Sequence, residues 1–120
     1  MIDRLWYATV FVKDFPRALQ FYRDTLGLPL RFADEEYGHA SFATEGALFS
    51  LQKVQGEQAA SFAGRHTGVG FGTGDLDGEY ARLKALGVTF TQVPTKMPWG
   101  GYLSLFSDPD GNVLYLDQLR

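Results

Sequence analysis

Two segments of this chain match each other closely enough to restrict how it can fold. Residues 9–28 read TVFVKDFPRALQFYRDTLGL, and residues 69–88 read VGFGTGDLDGEYARLKALGV. At an offset of 60, Phe11 falls on Phe71, Leu26 on Leu86 and Gly27 on Gly87. Self-similarity at this spacing means that one supersecondary unit is used twice. In each copy a strand leads through a turn carrying Asp into a single helix that stops at glycine. Alternation over residues 5–12 places Ala8, Val10 and Val12 on one face and Tyr7, Thr9 and Phe11 on the other. Asp14 caps the helix that follows, and Pro16 suits its first turn. Ala18, Phe21, Tyr22 and Leu26 recur at helical spacing, and Gly27 offers the left-handed stop. In the second copy Asp75 or Asp77 is the cap, Leu76, Tyr80, Leu83 and Leu86 form the buried stripe, and Gly87 ends the helix.

Three short extended runs follow each helix: 30–34, 39–43 and 47–53 in the first copy, then 88–93, 101–107 and 113–117 in the second. Asp108-Pro109-Asp110-Gly111-Asn112 is a strong turn signal, because Pro fixes one φ and Gly permits a positive one. The polar stretch 55–65 shows no periodicity and reads as a connector. The predicted fold class is therefore α+β, with two tandem βαβββ modules over about residues 1–54 and 66–120. Each module alone would bury too little apolar surface for comfortable stability, so the expectation is one domain over 1–120.

Composition narrows the function. The net charge of −3, with Lys and Arg scattered singly, argues against a nucleic-acid or anionic-membrane partner. With no Cys there is no disulfide, thiolate nucleophile or Cys-ligated zinc. The N-terminal residues lack a signal-peptide pattern and no apolar run approaches a membrane span, which makes a cytoplasmic protein the expectation. Ten Phe, six Tyr and two Trp supply ample core, and also rings able to line a pocket for flat organic ligands.

The strand-Asp-helix segment 10–28 with Phe21-Tyr22 and Leu26-Gly27-Leu28, the later Asp75-Leu76-Asp77, Leu83 and Gly87-Val88, and finally Trp99-Gly100-Gly101 before 108–112 carry a family likeness. In this order they resemble the vicinal oxygen chelate superfamily, which groups glyoxalase I, bleomycin-resistance proteins and extradiol dioxygenases. The resemblance covers nearly the whole chain. It implies a curved, cleft-enclosing mixed sheet with helices on the convex side, and a homodimer. It does not fix a function, since one scaffold hosts isomerases, lyases, dioxygenases and plain binding proteins.

Metal-dependent members of that family place a ligand on the first and last strand of each module. Mapped by motif, those positions are Tyr7, Ser50, Gly68 (approximately) and Tyr115. None is a competent ligand for zinc, nickel or iron. His66 lies two residues before Gly68, so a register change of two would carry it to the ligand position, but without partners. The expectation is no cofactor, with a divalent metal ion as the alternative.

If Tyr7 and Tyr115 face inward, alternation brings Thr9 and Phe11, Leu48 and Gln52, Val113 and Asp117 to the same side. On the fifth strand the inward set is His66, Gly68, Gly70 and Gly72, a nearly bare face. Such glycines mark either close approach of a ligand or a bulged, closely packed strand. The expected pocket is built by Tyr7, Phe11, Trp99, Tyr102 and Tyr115, with polar handles from Ser50, Gln52 and His66. For Trp99 the alternative is an exposed loop ring, and for Tyr102 a cross-strand packing residue. The partner is a small organic molecule. The leading function is metal-free ligand binding of the bleomycin-resistance type, although −3 is only mildly acidic for so cationic a drug. The alternatives are a lyase, isomerase or dioxygenase with atypical metal ligands or His66 as general base, and an interaction module with a vestigial cleft.

Overall fold

The computed structural model describes all 120 residues. The chain divides into two compact units, Met1–Gly64 and Arg65–Arg120. In the first, β1 (Tyr7–Val12) leads into α1 (Phe15–Gln20), which continues as a wider π-helical turn over Phe21–Thr25. β2 (Leu30–Asp34), β3 (His39–Phe42), β4 (Leu48–Lys53) and α2 (Glu57–Phe62) follow. The second unit holds β5 (His66–Thr73), α3 (Leu76–Ala85), β6 (Thr89–Lys96), β7 (Tyr102–Ser107) and β8 (Val113–Gln118). The sheets have the same topology, β1-β4-β3-β2 and β5-β8-β7-β6. In each, the first and last strands pair in parallel and the remaining neighbours run antiparallel. The repeated βαβββ module expected from the sequence is thus the observed one. No helix is long and apolar enough to cross a membrane.

Each unit has its own core between its helix and one sheet face. In the first, Val10, Phe42 and Leu51 are fully buried with Phe15 and Tyr22 of the helix. The Tyr22 ring packs on Phe49 at 5.1 Å and on Phe42 at 6.5 Å. In the second, Leu76 and Leu83 of α3 are buried with Phe106 and Leu114, and Tyr80 meets Phe90 edge-on at 4.6 Å. Leu86, expected in this stripe, is instead 59% exposed, because it falls beyond the end of α3 where the helical spacing no longer applies.

The helices start as their caps dictate. Asp14 accepts the Arg17 amide at 3.3 Å, and Asp75 accepts the Gly78 amide at 3.0 Å. Asp75 is therefore the cap, while Asp77 faces β7. Both helices end at glycines with positive φ, Gly27 at 78° and Gly87 at 91°. The caps lie 61 residues apart but the terminating glycines only 60, so the first helical segment holds one extra residue. The π-helical turn absorbs it, with the Leu26 amide reaching back five residues to Phe21 at 2.9 Å. The repeat offset is consequently 61 along the first strand of each module, β1 and β5. Val10, not Phe11, is the counterpart of Phe71, and Phe11 is the counterpart of Gly72.

Two further boundaries differ from the sequence reading. The stretch 55–65 is not a structureless connector: α2 forms there, and Phe62 packs edge-on against Phe11 at 5.0 Å. β6 continues to Lys96, past the expected end at residue 93.

Candidate ligand pocket

The side of each sheet away from its helix is where the two units diverge. In the second unit this face carries a cavity of about 350 Å³. Its floor is formed by Leu103 and Leu105 of β7 with Tyr115 and Asp117 of β8, and Gly68 and Gly70 of β5 form one side. Gln92 of β6, and Met97 and Trp99 from the loop after it, form the other. The ladder explains the grouping: Leu105 and Gly70 flank Tyr115, while Leu103 and Gly72 flank Asp117.

The bare strand has three separate causes. Gly68 has φ 74°, in a bulge where two residues of β8 oppose four of β5. A Cβ on Gly70 would sit 3.3 Å from that of Tyr115, so glycine leaves this ring its place. A Cβ on Gly72 would meet Leu119 at 2.5 Å. Bulge and close packing therefore account for part of the bareness, and the open wall beside Tyr115 for the rest.

The bulge also moves His66. Its Nε2 lies 3.2 Å from the Tyr115 hydroxyl, and its Nδ1 accepts the Gly68 amide at 3.4 Å. With Nδ1 accepting, the ring proton is on Nε2, which donates to the phenol oxygen and leaves the Tyr115 proton to donate elsewhere. Asp117 is the other polar group of note. Its Oδ1 is sealed from solvent and has no hydrogen-bond partner in the protein.

Tyr102 does not join this pocket. It alternates with Leu103 on β7, faces α3 and donates its hydroxyl to Asp77 at 2.6 Å. That bond raises the Tyr102 ionisation above its ordinary range. Assigning Tyr102 inward reversed the parity of β7, and so hid Leu103 and Leu105. Met97 lies past the expected end of this strand at residue 93, and Gln92 lies between two irregularities that break the alternation of β6. Asp117 was legible from its spacing to Tyr115, but nothing in the sequence marked it as unpartnered.

In the first unit Tyr7, Phe11, Ser50 and Gln52 share the sheet face turned away from α1, as alternation predicts. Tyr7 is exposed at the start of β1 beside Trp6. Ser50 is buried and pairs with Thr9 at 2.8 Å. Gln52 takes the His39 Nδ1 proton at 3.0 Å. Phe11 is covered by Phe62.

These residues do not fit a divalent ion. No place in the structure gathers three His, Cys, Asp or Glu side chains. Of the four mapped positions, Gly68 has no donor, Ser50 is committed to Thr9, and Tyr115 to His66. The Asp108–Asn112 carboxylates serve a turn: Asp108 Oδ1 accepts the amides of Asp110 and Asn112, both at 2.9 Å.

Comparison with known proteins agrees with this architecture. The model for the Glyoxalase/Bleomycin resistance protein/Dioxygenase superfamily matches residues 4–116. YurT of Bacillus subtilis (strain 168) is 31% identical over 122 residues, covering 92% of this chain and 94% of its own. A superfamily member from Sphaerobacter thermophilus DSM 20745 has a solved structure with TM-score 0.81 and 34% identity, covering 99% of both chains. TnmS3, described as an antibiotic binding protein from Streptomyces sp. CB03234, gives TM-score 0.78 and 34% identity over 99% of this chain and 98% of that one. With two βαβββ units of matching topology and a family match spanning both, this chain belongs to the Glyoxalase/Bleomycin resistance protein/Dioxygenase superfamily.

Proposed function

We propose that this chain binds a small organic molecule without a bound metal ion, holding a flat, partly apolar ligand in the pocket of its second unit. The observation that carries the reading is the cavity itself. Its volume of about 350 Å³ lies within the range of about 300–1,000 Å³ usual for ligand sites. Trp99 and Tyr115 offer aromatic faces, Leu103 and Leu105 an apolar floor, and Asp117, Gln92 and the Tyr115 hydroxyl a few polar contacts. The antibiotic-binding description of TnmS3 supports the same class of activity.

A thermal-shift screen against planar aromatic antibiotics and metabolites tests it, because a ligand that binds the folded state raises the melting temperature. Trp99→Ala and Tyr115→Ala should each weaken a hit by about tenfold or more, as loss of a stacked ring does. Unchanged affinity in both variants would remove the pocket assignment. Elemental analysis of protein purified without chelators tests the metal-free part: stoichiometric zinc, nickel, manganese or iron contradicts it.

A second reading is supported by the His66–Tyr115 contact. The contact holds the imidazole beside Tyr115, and it would act as a general base once the Gly68 amide releases the Nδ1 lone pair that it now occupies. Turnover of a pocket ligand that is lost in His66→Ala while binding persists would favour it. A homodimer in the cytoplasm completes the proposal. The exposed apolar side chains Met1, Ile2, Leu5 and Trp6 suit an interface, and light scattering of the purified chain tests the dimer.

A further inference from the structure

We infer that the ligand of this pocket carries a cationic nitrogen, and that Asp117 is the group that selects it; this rests on the binding function just proposed. Asp117 lies on β8 between Gly72 on one side and Leu103 on the other. The first has no side chain and the second is aliphatic, so neither neighbour supplies a donor. Oδ1 is sealed from solvent with nothing donating to it, and the ion pairs at Arg4, Arg23 and Arg82 lie elsewhere. A carboxylate oxygen held this way forgoes the hydrogen bonds that water would give it. A polar atom left so beside a cavity is a place for a ligand to complete.

The rest of the lining decides between a neutral donor and a cation. No Lys or Arg lines the cavity, and the Arg120 guanidinium, which lies beside Gly101 and the Trp99 indole, makes no hydrogen bond to the sealed oxygen. Trp99 is 67% exposed, and Tyr115 stands two residues from Asp117 on the same strand face, so two aromatic rings line the same cavity as the carboxylate. Aromatic faces attract cations through their quadrupole and do nothing comparable for neutral donors. A neutral N–H would satisfy a lone pair yet leave the charge uncompensated. The negative charge is shared by both carboxylate oxygens, so a cation arriving from the cavity also compensates the sealed one. An anionic ligand is disfavoured by the same field.

The test uses two planar tricyclic probes of similar size, 9-aminoacridine, a cation at neutral pH, and acridone, which is neutral. Affinities are measured by fluorescence titration on the full chain and on Asp117→Asn and Trp99→Ala. The full chain should bind 9-aminoacridine about tenfold or more tightly than acridone, the size expected of a charge-assisted hydrogen bond. Asp117→Asn should reduce that preference to within about twofold by weakening only the cation. Equal binding of both probes by the full chain, or a preference that survives Asp117→Asn, would overturn the inference. If acridone binds in a Trp99-dependent way with no preference for the cation, the inference falls and the binding function stands. If neither probe binds, both fall.

Discussion

On the sheet face turned away from α1 the side chains of the first unit complete one another, whereas on the face turned away from α3 those of the second unit leave space. The ladder registers allow a position-by-position comparison. Thr9 and Ser50 hydrogen-bond at 2.8 Å, and their counterparts are Gly70 and Tyr115. Gln52 has His39 at 3.0 Å, while Asp117 in the matching place has Leu103. Phe11, covered by Phe62, answers to Gly72. Ser41, which accepts from Arg31 at 2.9 Å, answers to Leu105. One chain path thus supports both a closed polar face and an open pocket, and only a few side chains decide which. The fold positions the site, and the emptied face makes it one.

Four changes would sharpen or break this contrast. The largest effect is expected at the turn that holds the bared strand from outside. Asn112 is fully buried, donates to Asp108 Oδ2 at 3.0 Å and accepts the Arg65 amide at 3.3 Å. Asn112→Ala should cost about 2–4 kcal/mol in chemical denaturation, because it strands a buried carboxylate and an amide together. Next comes Gly70→Thr, which gives β5 the side chain that β1 carries at Thr9. It narrows the cavity against Tyr115 and should weaken an identified ligand by about tenfold to a hundredfold, with about 1 kcal/mol of stability lost to crowding. Calorimetric titration reads the first number and urea melts the second.

A smaller effect is expected from Leu103→His, which supplies Asp117 with the partner Gln52 has. The new ion pair should make this variant about 1 kcal/mol more stable at pH below the imidazole range than above it, and should abolish cation selectivity in the probe titration. The smallest effect is at Tyr102. Its hydrogen bond to Asp77 raises its ionisation above the unfolded value. The contribution is complete below the ordinary tyrosine range and is lost as pH climbs through the raised folded value. Ultraviolet titration should show a late-ionising tyrosinate that Tyr102→Phe removes.

Much of the fold was legible in the sequence because its signals are local. Asp14 and Asp75 cap, Gly27 and Gly87 stop, and alternation assigned the faces of β1, β4 and β8 correctly. What escaped was set by events with no one-residue signature. The π-helical turn shifts the repeat by one, so a match that looked good at Phe11 and Phe71 joined opposite faces. The bulge at Gly68 moves His66 alongside Tyr115. Tyr102 turned outward because Asp77, a residue 25 positions away, takes its hydroxyl. The pocket's aromatic rings Trp99 and Tyr115 were foreseen. Its carboxylate was not singled out, because an absent partner becomes visible only when the neighbouring strands are in place.

Amide NMR during titration with 9-aminoacridine, with a chelator present throughout, tests the central claim most directly. The account predicts that the largest shifts fall on Gly68, Gly70 and the Trp99 indole, while Thr9, Ser50 and Gln52 move little. Shifts centred on Thr9, Ser50 and Gln52 with the second unit unmoved, or binding that appears only after a divalent metal is added, would contradict it.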